Sequence, residues 1–177
     1  LVRQWRRGFN LKPTEHANEA EYLMDIGPLF VPDNENLNAE PIYDYTFKHY
    51  ILDDIEGRKS DLDAKKSIVF KGRALRDRNT PLQIALVLDD GSAYGGIVTL
   101  TPKTGTYTLE LSSLKPVKTV TLPRPYPSFL PYYFEHNNPE NFDINRIESI
   151  QFSVGPGLNE KEQKEKYGLA IISVWLE

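Results

Sequence analysis

The chain of 177 residues carries 21 Lys and Arg against 25 Asp and Glu, a formal charge of −4, and is 40% hydrophobic and 26% charged. That balance describes a globular chain and excludes a nucleic-acid partner held by phosphate neutralisation, which needs a basic surface. Cysteine is absent, which excludes disulfides, thiolate-held zinc and a cysteine nucleophile, and no apolar run of about 18 residues is present to span a bilayer.

The chain opens at Leu1 without an initiator Met or an apolar leader. It is expected to be a piece of a longer or processed protein, any export signal lying upstream. "LVRQWRRGFN" (1–10) reads as the end of a linker, or as a strand docked on a neighbouring domain. "PTEHANEAEYLMDIG" (13–27) predicts the one short helix, with Thr14 as its cap, an acidic first turn and Gly27 as its stop. "FVPDNENLNAEP" (30–41) is a polar loop. Residues 1–42 therefore read as an irregular extension holding one short helix, and 43–177 as the domain proper. The first segment of that domain, "YDYTFKHYILDDI" (43–55), supplies one or two strands.

From residue 67 onward the two-residue period dominates. Leu82, Ile84, Leu86 and Leu88 fall on one face, and Gln83, Ala85, Val87 and Asp89 on the other. "SIVFKGRA", "GIVTLTP", "TYTLEL", "VKTVTLP" and "SIQFSVG" continue the series. "DDGS" (89–92) and "KTG" (103–105) signal hairpins. "GLAIISVWLE" (168–177) is apolar on both faces and predicts a central strand, with Phe70, Phe152 and Trp175 in the core. The charge run "NEKEQKEK" (159–166) reads as a solvated loop or helical turn. Six or seven strands joined by short turns, without helical pattern between them, predict an all-β antiparallel sandwich.

No catalytic constellation is evident. His16, His49 and His136 are far apart and lack ligand spacing, and neither a G-x-S-x-G elbow nor a P-loop occurs. Asp53/Asp54 and Asp89/Asp90 read as turn chemistry. For "DLD" (61–63) a calcium site competes with the turn reading, since alternate carboxylates can chelate a hard cation. His136, beside a cluster of tyrosines, is the one candidate for a lyase or hydrolase role.

The most informative stretch is "PRPYPSFLPYYFEH" (123–136), with four prolines and five aromatics. Proline forbids a helix or a central strand there, so it reads as a stiff, greasy loop. Two explanations stand: a plug whose rings, Phe129 and Phe134 above all, cap the sandwich, or an exposed platform. Sugars present C–H faces that stack on aromatic rings, and a rigid loop loses little entropy on binding. On the second explanation Tyr126, Tyr132 and Tyr133, with Tyr94 from a hairpin tip, stack on sugar, while Arg124 and Glu135 read its hydroxyls. Arg124 alternatively forks an acidic sugar.

A strand ending in Leu122-Pro123, then "FDINRIESIQFSVGPG" with Asp143, Ile147, Ile150, Phe152 and Val154, and "YGLAIISVWLE" with Gly168, Ile171, Val174 and Leu176, resembles galactose-binding-domain-like jelly rolls. These include carbohydrate-binding modules attached to glycoside hydrolases. The resemblance covers roughly residues 67–177. It implies an antiparallel jelly-roll β-sandwich serving as a non-catalytic accessory domain of a secreted, periplasmic or cell-surface glycan-degrading enzyme. Its partners would be a polysaccharide or oligosaccharide and the catalytic domain of the same polypeptide. Many relatives hold a structural calcium with acidic residues of the final strand; Ile172 and Ser173 occupy those positions here, so neither a metal nor a cofactor is expected. The competing expectation is a structural β-sandwich that packs on a catalytic domain and binds no ligand.

Overall fold

The computed structural model describes residues 9–29, 45–121, 132–134 and 141–177. Two five-stranded antiparallel sheets face each other across one core, forming a jelly-roll β-sandwich. Sheet A runs in the order β1 (Phe9–Pro13), β2 (Ala20–Ile26), β12 (Tyr167–Leu176), β4 (Ser67–Ala74), β7 (Gly105–Glu110). Sheet B runs β3 (Tyr45–Tyr50), β11 (Ile147–Val154), β5 (Thr80–Leu88), β6 (Ala93–Leu100), β8 (Lys115–Pro116). A two-stranded ribbon pairs β9 (Thr119–Thr121) with β10 (Tyr132–Phe134).

The expected alternation sets the core. Leu82, Ile84, Leu86 and Leu88 are all at most 1% exposed. Ile68 and Phe70 of β4, Ile150, Phe152 and Val154 of β11, and Leu169 of β12 complete the interior. Rings cross between the layers in a chain: Tyr22–Phe47 (5.8 Å between centroids), Phe47–Phe152 (6.3 Å), Phe152–Phe70 (6.0 Å) and Phe70–Tyr107 (6.3 Å). Such tilted and offset contacts favour the edge-to-face geometry of aromatic pairs. As predicted, β12 is a central strand, third of five in its sheet.

The helix expected over 13–27 is instead the β1–β2 hairpin. Its Ala, Glu, Leu and Met content favours a helix locally. The same residues also alternate, and Met24 and Ile26 bury at 1% and 0% while Asp25 stays exposed. Pairing with β12, from Tyr167↔Ile26 to Ile171↔Tyr22, decides the outcome. Thr14 closes the hairpin: its Oγ1 accepts from the His16 N–H (3.2 Å) and donates to Glu19 Oε2 (2.9 Å), and Asn18 takes a positive φ of 64°. A side chain that reads as a helix cap is thus a turn-former. The β1–β2 hairpin is part of sheet A, next to β12. The short helical segment lies later, at α1 (Leu52–Ile55), a 3-10 turn (Glu56–Arg58) and α2 (Lys59–Leu62).

"DDGS" forms the expected β5–β6 hairpin, with Gly91 at φ 85°. "KTG" does not form one: β6 lies in sheet B and β7 in sheet A. Turn residues there serve a crossing between layers, which has the same local chemistry as a hairpin. The charge run 159–166 holds a solvated 3-10 turn, Glu162–Lys164, and just before it Asn159 Oδ1 accepts the Lys161 and Glu162 N–H groups (both 3.0 Å).

Candidate functional site

The outer face of sheet B is built of hydroxyls, amides and small side chains. One row across it is Tyr50, Ser149, Val87, Ala93; the next is Lys48, Gln151, Ala85, Gly95, Lys115; the third is Thr46, Ser153, Gln83, Ile97. An outward strand face of a soluble sandwich is normally wet. This one is covered: Ser149, Gln151, Ser153 and Gln83 are 0%, 1%, 2% and 7% exposed. Part of the cover is the chain leaving β8. Val117 N donates to Ala93 O (2.9 Å), and Gln83 Nε2 donates to the Lys118 carbonyl (3.4 Å), so residues 117–118, which lead into the β9–β10 ribbon, lie against this face. Thr46 and Ser153 hydroxyls bond each other at 3.0 Å. Ser149 Oγ is buried without a hydrogen-bond partner among the described residues, an arrangement that costs about 1–3 kcal/mol unless a water or ligand hydroxyl meets it. At the rim Tyr50 is 59% exposed, with Lys48 Nζ 4.7 Å from its ring centroid.

Tyr132 and Tyr133 lie in β10, their backbones paired with Thr121 and Val120. Part of the aromatic stretch is therefore a strand of the ribbon rather than loop. Arg124, Tyr126, Phe129, Glu135 and His136 lie outside the described residues. Tyr94 is corrected: it is 4% exposed, and its ring packs 5.5 Å from that of Phe142. It sits at an inward position of β6, paired with Leu86, so no sugar can stack on it. The polar row of sheet B was legible as the non-leucine side of the alternating strands, but alternation does not say which outer face carries a cover.

The outer face of sheet A is crossed by ion pairs. Lys71 binds Glu19, Arg76 binds Asp25, and Arg73 grips Glu21 through both Nε and Nη2 (2.8 and 2.9 Å). The Arg73–Glu21 pair bridges β4 to β2 over β12, whose Ala170 beneath is small and 0% exposed. Hydrogen bonds from Arg73 hold the Glu21 carboxyl below the usual carboxylate range, against the opposing pull of burial. A lowered carboxyl stabilises the fold above its unfolded-state pKa, and that contribution is lost as pH falls through the folded value. Glu21→Gln is therefore expected to cost about 1–2 kcal/mol at neutral pH. In urea denaturation the gap to the parent chain should shrink below about pH 4; a gap independent of pH would refute the linkage.

Among the described residues, no group of three His, Asp or Glu side chains is placed to hold a metal. Asp61 and Asp63 fall two apart on a helical segment, which turns them to different sides, and Asp63 accepts from Asn145 Nδ2 at 2.6 Å. The calcium reading of "DLD" does not fit this geometry. Asp89 and Asp90 are turn residues: Arg146 bonds both (2.7 and 3.1 Å), and Asp90 accepts the Ser92 N–H at 2.8 Å. Among the described residues no helix is long and apolar enough to cross a membrane.

These features define a jelly-roll sandwich with one polar, roofed face and one ion-paired face. No protein-family model matches the chain, and no curated protein matches it in sequence. Its fold is similar to that of the family 11 carbohydrate-binding module from Clostridium thermocellum, solved in complex with a β-1,3-1,4-mixed-linked tetrasaccharide. The identity is 12%, over 96% of this chain and 81% of that one, with a TM-score of 0.55. It is equally similar to the family 11 module of a cellulosomal cellulase of the same organism: 12% identity, 96% and 79% coverage, TM-score 0.54. An agarase matches over 93% of this chain and 21% of its own at 15% identity, with a TM-score of 0.46.

Proposed function

We propose that the chain is a non-catalytic carbohydrate-binding domain. The observation that carries this reading is the buried row of amides and hydroxyls on sheet B, Gln83, Ser149, Gln151 and Ser153, bonded at Gln83 to the chain that leads into the ribbon holding Tyr132 and Tyr133. Neutral hydrogen-bonding groups match the hydroxyls of a sugar, and tyrosine rings match its C–H faces. The shared sandwich with modules that include one solved on a tetrasaccharide supports the same reading. On this proposal Tyr126, Tyr132 and Tyr133 stack on the glycan, and Arg124 and Glu135 read its hydroxyls. The domain would serve a secreted glycan-degrading enzyme, joined to its catalytic domain.

Affinity gels loaded with mixed-linked β-glucan, xylan, agarose and pectin test this. The parent chain is expected to be retarded by at least one, and Tyr132→Ala with Tyr133→Ala to weaken that binding about tenfold or more. A chain that runs freely through every gel would overturn the proposal. The burial of the polar row favours a second reading, a structural sandwich packed on a catalytic domain. That reading expects no retardation, with the parent enzyme destabilised when the domain is deleted.

A further inference from the structure

We infer that the outer face of sheet A carries a second saccharide-stacking site, centred on Trp175. The first step is a register shift in β12 between Ile171 and Ser173, where one extra residue is inserted opposite β4. Before it, Leu169 and Ile171 face the core. After it, Val174 and Leu176 are the inward positions, paired with Phe70 and Ile68. A bulge changes which face later side chains take. Without the shift, Trp175 would fall on the core side; with it, Trp175 stands outward and is 41% exposed.

What surrounds the indole suits a flat neutral ligand. Its register partner on β4 is Val69, also outward but only 2% exposed. The indole thus stands next to a buried aliphatic position on the neighbouring strand while remaining well exposed itself. The next strand continues the row with Thr108, and the adjoining row is Ser173, Lys71, Thr106. Thr106 and Thr108 are exposed on β7, two strand spacings of about 4.8 Å each from β12, so they face a neighbouring sugar unit rather than the one stacked on the ring. The cations of β4 on this face are paired, Lys71 with Glu19 and Arg73 with Glu21, and the exposed carboxylate of Glu110 lies on β7 beyond Thr108. An exposed indole with Ser173 two residues before it on the same face, and with the cations of that face already paired, suits a neutral, hydroxyl-bearing, planar-faced molecule: the C–H face of a neutral polysaccharide. β2 pairs with β12 only as far as Ile171, so among the described residues the side of Trp175 away from β4 is an open sheet edge along which a glycan can run on.

This site is separate from the sheet B face and depends on that proposal only in its choice of ligand class. The chain has two tryptophans, so Trp5→Phe leaves Trp175 as the sole indole reporter. Its emission is followed while mixed-linked β-glucan, xylan and agarose oligosaccharides are titrated. The expected result is a saturable shift of emission to shorter wavelength that persists when Tyr132→Ala and Tyr133→Ala are added, with Trp175→Ala lowering retention on the matching gel about tenfold. A glycan that is retained while the indole stays silent would sink the Trp175 site and leave the sheet B reading standing. Retention of none of these glycans would overturn both. An indole shift that vanishes in the tyrosine variants would place binding on the other face alone and also overturn the second site.

Discussion

Phe70→Ala should lower the stability of the domain by about 3–5 kcal/mol. The ring is 0% exposed, and it touches both layers, with Phe152 at 6.0 Å and Tyr107 at 6.3 Å between centroids. Removing it breaks the aromatic chain between Phe152 and Tyr107 and leaves a cavity that rigid strands on both sides cannot fill. Against a total stability of about 5–15 kcal/mol, that is a large fraction. Urea denaturation should show a lower midpoint with an unchanged slope. A loss below about 1 kcal/mol would mean that the sandwich closes around the gap, contrary to its close packing. Trp175→Ala, at an exposed position, should cost far less.

Gly72→Ala should cost about 3 kcal/mol, as much as a large core deletion, although it adds one methyl group. The added Cβ would press on the Ala170 carbonyl oxygen of β12 and stand 2.6 Å from the Phe70 ring. One obstacle is backbone held by the β4–β12 ladder, so it cannot step aside. The other is a ring fixed in the core. Combining Gly72→Ala with Phe70→Leu removes the second obstacle and not the first, so the two losses should be less than additive. Gly57→Ala is the control, with nothing within 4 Å of the new methyl, and should be close to neutral. Equal effects at the two glycines would refute the packing argument.

The fold was legible wherever burial follows a strict period within one strand. Leu82 to Leu88 and Ile150 to Val154 fall where alternation puts them, and the β5–β6 turn has the residues such turns need. It was illegible wherever a distant partner decides. The β1–β2 hairpin has helix-forming composition, and its strand state depends on β12, far away in sequence. The crossing at Lys103–Gly105 has hairpin chemistry but joins two sheets. The core placement of Trp175 failed because a single inserted residue reverses the parity of the strand, and nothing in "GLAIISVWLE" marks the insertion. Tyr94 follows a turn, and turn proximity suggested exposure, yet its pairing with Leu86 turns it inward. Of the aromatic stretch, composition indicated stiffness but not the pairing of its last part with Thr119–Thr121.

The central place of β12 also governs the order of assembly. Among the described residues, β2 and β4 are joined in the backbone ladder only through it. Until that strand docks, the N-terminal hairpin and the β4–β7 pair each present an open edge with no partner. Forming sheet A therefore means closing a loop that spans most of the chain, and such non-local pairing is slow. During synthesis, the β1–β2 hairpin and the β4–β7 pair would stand with unpaired edges until β12 emerged, the interval in which edge-to-edge association between nascent chains is most favoured.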